Sequence, residues 1–210
     1  KSTTVNKLIT NPIVMFMSLL TLSGGAQAHH PMAGQAAVSA FEGLISGFAH
    51  PIIGLDHLFF VVSIGLIAVV LGASLVRLVA AFTISSLSGL LLHVNAIGVP
   101  GVELAIAVSV MLAGVVIVKQ FSGQTTAAIL VAGAGLFHGF AYGEAIYGSP
   151  AVAVTAYFIG IGLVQCCIAV SVFKASQLLL ARPGVRAKNL SLSAGSAIAV
   201  FGAFLLAGSI

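Results

Sequence analysis

His50-Pro-Ile-Ile-Gly-Leu-Asp56-His57-Leu-Phe-Phe-Val-Val-Ser-Ile-Gly-Leu-Ile-Ala-Val-Val-Leu71 is the stretch on which the fold turns. From Leu58 to Leu71 its only polar side chain is Ser63. Ile52–Leu71 alone has the length that crosses a bilayer interior, about 20 mostly apolar residues. Yet its opening turns carry two imidazoles and a carboxylate. An ionised side chain at the bilayer centre costs at least ~2.5–3.5 kcal/mol, so such groups persist only when paired, solvated or bound to a cation. The stretch therefore predicts both a membrane span and a reason for Asp56 to be in it.

The rest of the chain repeats the first half of that reading. Of 210 residues, 60% are hydrophobic and 6% charged, where a soluble domain carries roughly 25% charged. Too few polar groups are present to face water, so lipid is the solvent. Five further apolar segments of spanning length follow, at 78–96, 102–118, 126–146, 151–173 and 190–208. The first span can begin earlier, near Glu42, in which case Pro51 kinks it and disfavours helix at His50. The 24 glycines suit close helix packing in a membrane. The net charge of +4 is scattered singly over loops with no interleaved aromatics, which does not read as a nucleic-acid surface. Cys166 and Cys167 are adjacent, point about 100° apart on a helix, and form no disulfide framework.

Before the spans, Lys1 and Lys7 form a basic region ahead of a short apolar run at 13–22, and Ala26-Gln27-Ala28 fits a small-x-small cleavage site, an uncleaved anchor being the alternative. The expected organisation is a signal peptide over 1–28 and one all-α, six-helix transmembrane domain over 29–210. With the mature N-terminus outside, the inner loops hold Arg77, Lys119, Lys174, Arg182, Arg186 and Lys188, and the outer loops hold no Lys or Arg. That asymmetry, six against zero, predicts both termini outside a bacterial-type inner membrane.

On this topology every Asp, Glu and His lies outside or in the outer half of the helices. Glu42, His50, Asp56 and His57 fall on the first helix, His93 at the end of the second, Glu103 at the start of the third, and His138 and Glu144 on the fourth. No outer-half Lys or Arg is available to pair with the acids. A divalent cation captured from outside would neutralise them; so would protonated acids and neutral histidines bonded to one another. His50 and His57 share a helix face but stand roughly 10 Å apart in height. That is too far for one ion, whose ligand bonds are about 2.0–2.2 Å, unless the Pro51 kink draws them together. Asp56 can approach an ion beside His57 or orient an imidazole. Gly135, Gly139 and Gly143 form a G-x3-G-x3-G ridge that brings His138 toward a partner helix, for which the first helix is the best candidate. Tyr142, one turn from His138, can bond it or simply fill the interior. The tail histidines His29 and His30 can collect metal or form an ordinary mobile tail.

These same residues carry a resemblance. His50-x5-Asp56-His57 is similar to the H-x5-D-H motif in the first helix of the HupE/UreJ family of nickel and cobalt permeases, and Phe137-His138-Gly139-x4-Glu144 resembles its second signature, F-H-G-x4-E, in the fourth helix. The resemblance implies uptake of Ni2+ or Co2+ along a path lined by His50, Asp56, His57, His138 and Glu144. His29, His30, His93 and Glu103 are secondary candidates by position. The expected partners are lipid and a divalent metal ion, Zn2+ or Cu2+ not being excluded by imidazole and carboxylate chemistry. No catalytic cofactor and no enzymatic activity are expected, and a homo-oligomer is compatible with the sequence. H-x5-acid spacing recurs in the first helices of two three-helix halves, as in inverted-repeat transporters, although both copies seat toward the outer side. Competing readings are an intramembrane zinc hydrolase, a haem-binding subunit with His57 and His138 as axial ligands, and a metal sensor or accessory subunit without transport.

Overall fold

A computed structural model describes residues 36–120 and 123–209. The expected signal peptide and the tail histidines His29 and His30 lie outside the described residues. Within them the chain is all-helical: α1 Ala40–Ile53, α2 Leu55–Val70, α3 Leu75–Val94, α4 Val102–Lys119, α5 Gln124–Glu144, α6 Ala151–Leu180 and α7 Ala187–Gly208. The helices α3 to α7 are each long and apolar enough to cross a membrane, and α1 with α2 reach that length together across a 79° bend. This is a multi-pass membrane architecture. Large apolar side chains such as Phe41, Val76, Ile84, Ile129 and Leu178 are exposed around it, as a lipid-facing surface requires.

The first span starts earlier than the apolar run alone indicates because a capping box starts it. Ser39 Oγ accepts from the Glu42 N–H at 3.2 Å, and the Glu42 carboxylate accepts from the Ser39 and Val38 N–H groups at 3.3 and 2.7 Å. Glu42 is thereby committed to a helix end. The helix then tolerates Pro51: His50 remains helical, contrary to the expectation that the proline displaces it, and the break comes at Gly54. Gly54 is extended (φ −73°, ψ 99°), its N–H reaches the His50 carbonyl at 2.9 Å, and its own carbonyl accepts from Leu58 N–H to begin α2. A Cβ at Gly54 would stand 2.7 Å from the His57 ring, so glycine is what lets the Asp56-His57 pair fold back over α1. Helix α6 runs past Phe173 to Leu180. Lys174 ends the apolar run, but the following Ala, Gln and Leu residues are good helix formers.

Three tight pairs build the bundle, each through glycines whose missing side chains let backbones touch. Helices α1 and α6 run parallel, with Gly43 against Ala153 and Gly47 against Tyr157. Helices α3 and α5 run parallel, with Gly139 against Ser86 and Gly89 against Leu136. Helices α4 and α7 run antiparallel, with Gly114 against Gly195 and Ala199, and Gly202 against Met111. The Gly135–Gly139–Gly143 ridge therefore seats α3 rather than the first helix, because α3 offers the matching small residues Ser85, Ser86 and Gly89. His138, offset from the ridge, faces α2 instead. Bend α2 lies between these pairs, with Phe60, Val61 and Ile64 in a core shared with Phe82, Val110, Ile117, Val131, Ile198 and Phe201.

Gly139→Ala is expected to destabilise the bundle by about 1–3 kcal/mol, since its methyl meets Ser86 backbone that cannot rotate away. Gly133→Ala, on the same helix with open space around it, should be neutral or gain up to about 1 kcal/mol. Thermal unfolding of both variants in detergent checks the pair. Equal stability of Gly139→Ala and wild type would refute the α3–α5 contact.

Candidate metal path

The bend at Gly54 changes what the seven-residue spacing means. His50 closes α1 and His57 opens α2, and both are buried. Instead of standing two straight turns apart, their ring centroids lie 5.4 Å from each other. His138, fully buried at mid-length of α5, completes the group: its ring centroid is 5.0 Å from that of His57, and the two Nδ1 atoms share a hydrogen bond of 2.8 Å. Three imidazoles from three helices thus meet inside the bundle, with His57 between the others.

Asp56 sits at the first turn of α2, where a carboxylate suits the partial positive charge of the helix start. One oxygen accepts the His57 backbone N–H at 2.8 Å; the other lies 4.0 Å from His57 Nε2. Its side chain is 31% exposed while that of His57 is 5% exposed, so Asp56 marks the boundary between the open side and the buried rings. Both sequence readings of Asp56, ion partner and imidazole neighbour, are compatible with that position.

Aromatic rings enclose the histidines. The Tyr142 ring is 4.4 Å from His57 and 5.3 Å from His50, and Phe60 and Phe82 lie 4.6 and 5.8 Å from His138. Tyr142 does not use its hydroxyl on His138; that hydroxyl accepts from Gln165 Nε2 at 3.0 Å. Two residues absent from the sequence expectations touch the rings directly. Tyr157 Oη is 3.0 Å from His50 Nδ1, and Ser109 Oγ is 3.0 Å from His138 Nε2. A buried Tyr or Ser is ordinary in an apolar helix, and only the fold brings these two across from α6 and α4.

The other candidates lie apart. Glu144 is exposed at the end of α5 and Glu103 is exposed at the start of α4. His93 packs beside Phe140 and Tyr147, with ring centroids 4.6 and 5.7 Å away, and its shielded Nδ1 has no hydrogen-bond partner among the described residues. Cys166 and Cys167 are free thiols, the first half-buried and the second exposed. Among the described residues no three His, Cys, Asp or Glu side chains gather closely enough to hold one ion as they stand. The 2.8 Å between the two Nδ1 atoms matches the spacing of adjacent ligands on one ion with bonds of about 2.0–2.1 Å. The rings must nonetheless turn, since their nitrogens face each other. As they stand the two rings share a hydrogen bond, which an ion bound between them would have to break.

The family model described as "HupE / UreJ protein" matches residues 17–205. The chain belongs to the HupE/UreJ family. "Protein HupE" of Rhizobium leguminosarum bv. viciae is 32% identical over 179 residues, covering 80% of this chain and 86% of that protein. No solved structure matches. The matched region of this HupE/UreJ member contains all three buried histidines, both hydroxyl partners and the Gly54 bend.

His57→Ala and His138→Ala each leave a polar ring without its partner in a dry interior. The double variant should therefore be less destabilised than the sum of the two, with a coupling of about 0.5–3 kcal/mol. Unfolding free energies of wild type, both single variants and the double variant in one detergent measure it. Strict additivity would refute the direct bond.

Proposed function

We propose that this HupE/UreJ member is a permease that moves a divalent transition-metal ion, Ni2+ or Co2+, inward past Asp56 and the His50–His57–His138 group. The observation that carries the reading is the meeting of three buried imidazoles beside a partly exposed carboxylate at the 79° bend between α1 and α2. Neutral imidazole binds such ions well, and one nearby carboxylate adds charge without making a site too tight to leave. Family membership supports metal transport and gives no support to an intramembrane zinc hydrolase.

On this reading α1 and α2 form one broken span, giving six spans with both termini outside. Exposed Glu144, exposed Glu103 and the tail histidines His29 and His30 then serve the mouth, and the cations at 77, 119, 174, 182, 186 and 188 lie on the inner side. Membrane potential suffices as the driving force: two charges moved inward gain roughly 4.6 kcal/mol per 100 mV. The helix pairing also supports an internal repeat. Exchanging the first three spans with the last three carries the α1–α6 pair onto the α5–α3 pair and returns the α4–α7 pair to itself, as an inverted repeat requires.

Asp56→Asn keeps shape and hydrogen bonding while deleting the charge. Correctly inserted Asp56→Asn protein in vesicles should take up Ni2+ or Co2+ at least about tenfold more slowly than wild type, an effect of the size seen when groups supporting a metal ligand are lost. Uptake at the wild-type rate would overturn the proposed path.

A further inference from the structure

Three shielded oxygens in the middle of α3 and α6 have no hydrogen-bond partner among the described residues: Thr83 Oγ1, Ser86 Oγ and Gln165 Oε1. The packing brings them to one place. Helix α3 presents Ser86 to α5, where Gly139 rests on its backbone, and presents Thr83 to α6, where a Cβ on Gly162 would meet the Thr83 methyl. The two residues stand about 60° apart around α3, so they line the angle between α5 and α6. Gln165 lies one turn from Gly162 on α6 and bridges the same angle, donating from Nε2 to Tyr142 Oη on α5 at 3.0 Å. That bond occupies one end of the amide and leaves Oε1 over.

These oxygens are not near the surface by default. Ser86 is 2% exposed and Gln165 is 1% exposed. An unpaired acceptor in such a setting is costly, and buried polar groups without a protein partner ordinarily bond ordered water. The junction also has room. Gly139 meets α3 backbone to backbone, and Gly47 meets α6 in the same way, whereas the nearest atom to a Cβ on Gly162 would be 3.9 Å away, an ordinary van der Waals distance.

Tyr142 is the wall between this junction and the histidines. Its ring lies 4.4 Å from that of His57, and its hydroxyl takes the Gln165 bond. From Ser86 to Thr83 the junction runs one turn toward the start of α3, the end that carries Arg77. None of the chain's four acids belongs to it: they are Glu42, Asp56, Glu103 and Glu144. An ion passing from imidazole to neutral hydroxyl and amide oxygens exchanges better ligands for weaker ones, and no carboxylate holds it there.

We propose that the junction of α3, α5 and α6 is a water-filled, oxygen-lined station, walled by Gln165 Oε1, Ser86 Oγ and Thr83 Oγ1, into which the ion is released from the histidines. The inference rests on the transport reading for the ion's travel, and on the helix packing for the station itself.

Thiol accessibility tests the station without reference to transport. Ser86→Cys and Ser63→Cys each replace a buried hydroxyl by a thiol of similar size; Ser63 is 0% exposed, and its hydroxyl is bonded to the Phe60 carbonyl at 2.6 Å. The full chain in detergent, carrying Cys166→Ala and Cys167→Ala, is treated with a small cationic methanethiosulfonate. Ser86→Cys should react at least about tenfold faster than Ser63→Cys, since a hydrated thiol ionises and reacts more readily. In vesicles, folded Gln165→Leu should take up Ni2+ or Co2+ about tenfold more slowly than wild type, while its equilibrium binding of the ion is unchanged. Thr83→Val, which leaves the Gln165–Tyr142 bond intact, should slow uptake in the same direction and decides the matter alone if Gln165→Leu does not fold. Equally slow modification of the two thiols, or wild-type uptake by folded Gln165→Leu, would overturn the proposal. Fast modification of Ser86→Cys, in a protein whose wild-type form takes up no metal in vesicles, would uphold the water-filled station and overturn the transport reading.

Discussion

A hydrogen bond between two buried imidazoles holds the centre of this protein. His57 and His138 come from helices far apart in sequence, and the 2.8 Å bond between them spans the contact between α2 and α5. In a low-dielectric setting such a bond is strong, and an unmade one is costly. The surrounding structure is arranged around keeping it made. Gly54 turns α2 so that His57 enters the bundle, the glycine ridge of α5 fastens that helix to α3, and Phe60, Phe82 and Tyr142 pack against the two rings. Histidine bonded to histidine was part of one of the two readings open from the sequence, and the His57–His138 contact has that form. On the proposed path a passing cation would have to displace it.

Much of the architecture was legible because it rests on composition and period. Long apolar runs and sparse charge follow from the cost of polar groups in lipid. The capping residue Ser39 is legible too, once Glu42 is seen three residues later. What the sequence could not yield was distance. A straight helix puts His50 and His57 roughly 10 Å apart, and the 79° bend brings their centroids to 5.4 Å. Proline is the louder signal, and it pointed to a break near His50, whereas the break is at Gly54, three residues after the proline. The ridge at 135, 139 and 143 announced close packing without naming its partner. That partner is set by Ser85, Ser86 and Gly89 on α3, a small-residue face that only three-dimensional complementarity selects. Ser109 and Tyr157 were invisible for a similar reason: their importance lies in contacts spanning 29 and 107 residues.

The proposed path, read as a relay from ring to ring, would reconcile two facts that pull apart for a static site. The histidines are gathered, yet no three ligands among the described residues converge on one point. A permease needs a cation to be bound well enough to be chosen and weakly enough to leave, and a cluster whose nitrogens bond one another at rest meets that need. On the proposed path an entering ion would compete with the His57–His138 hydrogen bond, so its net affinity would be the difference between two favourable states. Asp56, partly exposed beside the bend, would supply the negative charge for that exchange. Gln165, buried with its Oε1 unpartnered among the described residues, adds a further acceptor beside Tyr142.

The claim on which the rest stands is that a transition-metal ion meets the imidazole of His57. Nickel-edge or cobalt-edge X-ray absorption of detergent-purified protein loaded with one equivalent of metal reads the ligands of the bound ion directly. Wild type should show imidazole scattering with bonds near 2.0–2.1 Å, the range for nitrogen ligands of such ions. His57→Ala, shown to be folded, should lose a measurable part of it. Spectra of oxygen ligands only, or spectra unchanged by His57→Ala, would contradict the account.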